Sequence, residues 1–136
     1  MLVPVLARDV RHEWEWVRAG LLAVVKKTRD DWMPEDIYHE IKAGVSGLFV
    51  LEHGGERIGF IVLQLWPAYH AGPRMFVRAI WCRPFDAYRH RHEIMADLRE
   101  YAATHGVVAI RMTSPRGWDG ADIGFEAKQT IYEVAL

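Results

Sequence analysis

Four consecutive side chains, Arg89, His90, Arg91 and His92, can carry positive charge at the start of a predicted helix. Cations at a helix amino terminus oppose the dipole, so a merely solvated turn gives no reason for them, whereas an anion held by side-chain contact does. Glu93, which follows, would repel such an anion. The other titratable groups that could face a cleft are Glu52 and His53 at a predicted hairpin, His70 in a loop and Tyr88 beside the basic run. Each of these also reads as an ordinary solvated turn residue. His90 and His92 stand two apart and face different directions on a helix, and no H-x-x-x-H or carboxylate-supported pair is evident, so no metal is expected. Cys82, inside a predicted buried strand, reads as a small hydrophobe, with Arg83 beside it as the only argument for a thiolate. The segment Ser114–Gly120 puts Arg116 and Trp118 on a glycine-containing loop after a strand, where they could grip a substrate or fold over as a small surface core.

A sheet and a crossover helix must position these groups. Val3–Leu6 reads as a first strand whose proline suits an edge, and Asp9 after it can cap a helix. Val10, Trp14, Val17, Leu21 and Val24 mark one face of that helix, which runs to about Lys27. Lys26, Lys27 and Arg29 near its carboxyl end complement the dipole. Pro34 just inside a second start, acidic Glu35 and Asp36 in the first turn and Gly44 as a stop predict a short second helix. Leu48–Glu52 and Arg57–Trp66 flank Gly54-Gly55, a strong hairpin signal. The second of these strands is apolar on both alternating sets (Phe60, Val62 and Trp66; Ile61, Leu63 and Leu65), so both faces of the sheet must be covered.

Arg74–Arg83 is the next strand, alternating Met75, Val77, Ala79 and Trp81 against Phe76, Arg78, Ile80 and Cys82, with Arg78 an odd charge among apolar neighbours. Asp86 is placed to cap a third helix that carries Ile94, Leu98, Tyr101 and Ala102 and ends at Gly106. Val107–Met112 follows as a strand parallel to the one before the helix. Phe125–Leu136, with Ile131, Tyr132 and Val134, closes the chain as a last strand. The expected fold is α+β: a mixed sheet of about six strands, in the order β-α-α-β-β-β-α-β-β, with helices on both faces and one domain over residues 1–136.

Composition narrows the function classes. The chain has 136 residues and a formal charge of -1, from 17 Lys and Arg against 18 Asp and Glu, which argues against coating nucleic acid or anionic membrane by bulk charge. A single cysteine fits a reducing compartment, so the cytoplasm is expected. No apolar run reaches signal-peptide or membrane-span character. Six tryptophans suit core or rim packing, or a contact surface that leaves a homodimer open.

The element order, the hairpin Leu48–Trp66 with its Gly59-Phe60, a fourth strand ending at Pro84 and a Gly124-Phe125 pair together resemble the GNAT superfamily of acyl-CoA N-acyltransferases, over nearly the whole chain. More narrowly, Trp32…Asp36-Ile37-Tyr38, then Gly47-Leu48-Phe49-Val50, then Arg116-Gly117-Trp118 ahead of Gly124-Phe125 are similar to small GNAT-like proteins of tailed phages. The resemblance implies transfer of an acyl group from acetyl-CoA, or another acyl-CoA, to an amine, without a metal. It implies that strand-four backbone at Ile80, Trp81 and Cys82 holds pantetheine and that Arg89, His90, Arg91 and His92 hold phosphate. Glu52 and Tyr88 are then the catalytic candidates, and Arg116 and Trp118 the amine-binding ones.

Two departures from the family pattern support a second reading. The cofactor signature Q/R-x-x-G-x-G/A is replaced by Tyr88-Arg89-His90-Arg91-His92-Glu93-Ile94-Met95, which lacks the glycines that let backbone N–H groups approach a pyrophosphate. The tyrosine that many members carry four residues before the Gly-Phe pair is Gly120 here. The alternative is a catalytically silent GNAT-fold protein, an interaction or virion component of a phage, with a phage or host protein as partner and the host cytoplasm or virion as location.

Overall fold

The structure, a computed structural model, describes residues 1–67, 70–114, 120–129 and 131–136. Strand β1 (Leu2–Val5) leads through a 3-10 turn (Ala7–Asp9) into α1 (Val10–Thr28) and α2 (Pro34–Lys42). Strands β2 (Gly47–His53), β3 (Glu56–Trp66) and β4 (Arg74–Cys82) follow, then α3 (Asp86–Arg89), α4 (Arg91–Thr104), β5 (Ala109–Met112) and a second 3-10 turn (Ala121–Ile123). The strands lie side by side in the order β1-β2-β3-β4-β5. All pairs are antiparallel except β4 with β5, which is parallel, as the crossover through α4 requires.

The apolar pattern of β3 explains why both faces are covered. Ile61 and Leu63 join Phe49, Leu51 and Met75 under Ile94, Met95, Leu98 and Ala102 of α4. Phe60 and Val62 on the opposite face pack with Leu48 and Ala79 under Val10, Val17 and Leu21 of α1 and Ile37 and Ile41 of α2. Phe60, Leu21, Ile37, Leu48 and Leu51 are fully buried, each contributing about 1.5–3 kcal/mol over an exposed side chain. The hairpin turn is Gly54-Gly55 with φ of 59° and 78°, the left-handed pair that a two-residue turn between right-twisted strands needs. Asp36 accepts a hydrogen bond from the Met33 N–H at 2.8 Å, which fixes the start of α2.

Four expectations change. The last strand does not form among the described residues of 125–136: Ile131, Tyr132 and Val134 are exposed, and the sheet has five strands. The chain after Gly120 is instead drawn to α4, where Arg99 donates to the Ile123 carbonyl at 3.0 Å and Ile123 and Phe125 pack against the α4 core. The third helix is broken at His90 (φ -105°, ψ 15°) into a one-turn α3 and the longer α4. Asp86 is the first residue of α3 rather than its cap; the capping position is Phe85, in a left-handed conformation with φ of 68°. Asp9 stands at the capping position of α1 without a side-chain bond: it is in helical conformation (φ -101°, ψ -5°), not the extended one a capping side chain uses, and its own N–H closes the preceding 3-10 turn on the Leu6 carbonyl.

The alternation along β4 also switches phase. Val62 pairs with Ala79 and Leu63 with Val77, so Arg78 is an extra residue with no partner in β3, a β-bulge. Met75 and Val77 therefore face α4, whereas Ala79 and Trp81 face α1 and α2.

Candidate active site

The bulge at Arg78 coincides with the point where β5 leaves the sheet. Strand β5 pairs only with Arg74, Met75, Phe76 and Val77. From Arg78 to Cys82 no strand lies against that edge of β4 among the described residues, while β3 continues to pair with the other edge as far as Cys82. Strand-edge amide and carbonyl groups without a partner strand are a ready template for an extended ligand.

The side chains along this opening anchor it to both cores. Trp81 stacks on Phe60, with ring centroids 6.0 Å apart, under α1. Ile80 and Cys82 pack towards α4. Burial, reinforced by the charge of Asp86, pushes the Cys82 thiol up to about 11, so it is neutral near pH 7 and is not a nucleophile there.

Arg78, the odd charge in the strand, turns towards α2. Its guanidinium donates to both carboxylate oxygens of Glu40 at 3.1–3.3 Å and lies 5.3 Å from the Trp32 ring. Glu40 also accepts from Ser46 at 2.9 Å and Gln64 at 3.2 Å. This half-buried network ties α2 to β3 and to the bulge. Only the isolated charge of Arg78 signalled it in the sequence, since its partners come from three separate elements.

The basic run after the opening is divided between two carboxylates. Asp86 is buried and accepts from Arg83 Nε at 2.7 Å, with Arg89 at 3.9 Å and His90 at 4.0 Å. The Arg83 bond, and then the charges of Arg83, Arg89 and His90, hold the Asp86 carboxyl below its usual range despite its burial. Asp122 accepts from Arg91 Nε at 2.7 Å and has His92 at 3.9 Å. The Arg91 bond holds its carboxyl low too. Arg91 also donates to the Tyr88 carbonyl and rests 4.2 Å over the Tyr88 ring. Arg89 and His92 are the exposed members, at 70% and 60%, whereas His90 is only 12% exposed.

The catalytic candidates are not brought together. Tyr88 is exposed on α3. Glu52 lies on β2 opposite Arg57, with all of β3 between it and β4, in a small cavity with His53, His90 and Glu93. His70 is exposed in the loop before β4. Arg116 and Trp118 lie outside the described residues.

No protein-family model matches the sequence, and no curated protein matches it. Solved structures do. A ribosomal-protein-alanine N-acetyltransferase from Brucella melitensis biovar Abortus 2308 superimposes with a TM-score of 0.69 at 16% identity, covering 100% of this chain and 98% of that one. A predicted acetyltransferase from Clostridium acetobutylicum, crystallised with acetyl-CoA, gives 0.67 at 10% identity over 99% and 95% of the two chains. A putative acetyltransferase from Bacillus subtilis gives 0.64 at 15% identity over 100% and 98%. At such identities the likeness is one of architecture, and this chain has the fold of the GNAT-type acetyltransferases.

Proposed function

We propose that residues 1–136 form one domain that acts as an acyl-CoA-dependent N-acyltransferase on an amine. The observation that carries this reading is the opening in the sheet, where backbone from Ala79 to Cys82 has, among the described residues, a partner strand on one edge only. The amides of a pantetheine arm suit such an edge, so Ile80, Trp81 and Cys82 are the residues that would hold acetyl-CoA or another acyl-CoA. The nucleotide end fits in a different manner from a glycine loop. Phosphate is met by side chains, with Arg89 and His92 exposed and Arg91 available on release from Asp122. His90, turned towards Asp86 and His53, contributes least.

Bound acyl-CoA would supply the activated thioester. The chain's own task is then to orient the thioester, accept the ammonium proton of the amine and return a proton to the leaving thiolate. Tyr88, exposed beside the basic run, is the assigned proton donor. Glu52 is assigned as base through water, because β3 separates it from the opening. Arg116 and Trp118 are assigned to the amine. Thermal denaturation with and without acetyl-CoA tests the reading: ligand at ~100 times its dissociation constant adds about 2.7 kcal/mol of stability. No shift with acetyl-CoA or any other common acyl-CoA sinks it.

A second reading, a silent GNAT-fold interaction protein of a phage acting in the host cytoplasm or virion, rests on two features. Each cation of the run 89–92 already has a carboxylate within 4.0 Å, and the tail presents exposed Ile131, Tyr132 and Val134. Thiol release from acetyl-CoA in the presence of small amines or peptides separates the two, since a silent protein releases none.

A further inference from the structure

We propose that His53, His90 and Glu93 form a binding site for one divalent transition-metal ion of the zinc type, where the end of the β2–β3 hairpin meets the start of α4. Each residue offers a ligand atom, and these atoms all lie within 4.8 Å of one another. Two imidazoles and one carboxylate make a donor set suited to zinc and its neighbours rather than to magnesium or calcium, which take oxygen ligands. His90 and Glu93 are three apart at the first turn of α4 and so share a side of it, and His53 is the last residue of β2. A helical spacing search misses the site because the third ligand comes from the hairpin.

His90 carries the argument. Its Nδ1 is buried without a hydrogen-bond partner. Its other ring nitrogen, Nε2, faces Asp86 Oδ1 at 4.0 Å, and Asp86 is itself buried. A carboxylate on that side favours the proton on Nε2 and leaves the lone pair on Nδ1, the second-sphere arrangement that orients metal-binding histidines. A buried acceptor with nothing to accept costs free energy, and an ion at Nδ1 removes that cost. The His53 ring lies against the His90 ring, centroids 4.0 Å apart and planes tilted by 37°.

The space also fits. The cavity walled by Leu51, Glu52, His53, His90, Glu93 and Asp97 is about 10 Å³, room for one water or ion and for no organic ligand. Tetrahedral zinc with ligands at about 2.0–2.1 Å sets ligand atoms roughly 3.4 Å apart. The ligand atoms within 4.8 Å need to close by little more than an ångström for that spacing, which rotation of the exposed His53 and Glu93 side chains would supply, with solvent as the fourth ligand. The Met1 amino group nearby is neutralised by Asp97 at 2.5 Å.

The test is a calorimetric Zn²⁺ titration of the full chain after treatment with chelator, at about pH 7.5, where imidazole is neutral. One Zn²⁺ per chain is expected, with no saturable response to Mg²⁺. H53A and E93Q, at exposed positions that leave the fold intact, each weaken Zn²⁺ at least about tenfold, and H12A on α1 leaves it unchanged. Asp86 acts as a positioning residue: D86N weakens the ion about 10–100-fold and shifts the visible bands of bound Co²⁺. No saturable Zn²⁺ binding overturns the proposal, as does an affinity that H53A and E93Q leave within about twofold of the parent chain.

Discussion

Strand β4 has two unlike edges. On the β3 side it is paired from Arg74 to Cys82 except at the bulged Arg78, so closely that a Cβ added at Gly59 would lie 2.1 Å from the Trp81 carbonyl oxygen and 2.8 Å from Cys82 Cα. On the β5 side pairing stops at Val77. Beyond the bulge at Arg78 the same backbone is thus paired on one edge and, among the described residues, open on the other. A rigid closed edge is what lets the open one keep a fixed geometry, because a ligand strand can be received only by a backbone that is already held.

The largest effect should come from breaking the closed edge. Gly59→Ala forces backbone against backbone with no flexible side chain to yield, and a loss of about 3 kcal/mol is expected, the upper end for overpacking. Denaturant unfolding measures it. A stability within about 0.5 kcal/mol of the parent chain would mean that β3 and β4 are not locked there and that the contrast between the edges is weaker than drawn.

A second effect concerns Cys82, at the end of the open stretch. Burial, with the charge of Asp86 beside it, raises its pKa to about 11, so folding favours the protonated thiol. The stability this contributes is present below the unfolded pKa and is lost as pH rises through the folded one. Melting temperature should therefore fall between about pH 9 and 11, by the equivalent of roughly 2 kcal/mol, and the fall should be smaller in C82A. Equal slopes in the two proteins would place the thiol in water.

A smaller effect tests the open edge. Replacing Arg89 and Arg91 together by Ala should weaken acetyl-CoA about tenfold while weakening phosphate-free pantetheine little. Equal losses for the two ligands refute the phosphate role and leave the opening to some other extended partner.

Much of this architecture was legible beforehand, for a physical reason. The helix faces from Val10 and from Ile94, the Gly54-Gly55 turn and the doubly apolar β3 are local patterns, and each fixed its element within a few residues. What sequence could not supply was the shift of phase at Arg78. A bulge is specified by its partner strand, and the alternation Met75, Val77, Ala79, Trp81 looks continuous without it. The last strand failed for the complementary reason: Ile131, Tyr132 and Val134 have strand chemistry, yet the preceding residues pack against α4 and β5 is only four residues long. In sequence the basic run is one group because four cations are adjacent, but carboxylates from two elements, Asp86 and Asp122, divide it.

That division yields the smallest effect, and one with opposite signs in two assays. Arg91 bonded to Asp122 holds the carboxyl below its ordinary range. A carboxyl lowered by folding stabilises above its unfolded pKa, near 4, and loses that contribution as pH falls through its folded value. D122N should therefore melt slightly below the parent chain at neutral pH, with the gap closing as pH falls below the unfolded value and through the lower folded one. The same change releases Arg91 towards the open edge. If acyl-CoA binds there, D122N should bind it more tightly than the parent chain does, so stability falls while affinity rises. A variant that loses both would show instead that Asp122 holds Arg91 in the geometry the ligand uses, and the open edge would then extend across the Arg91–Asp122 pair to the 3-10 turn at Ala121–Ile123.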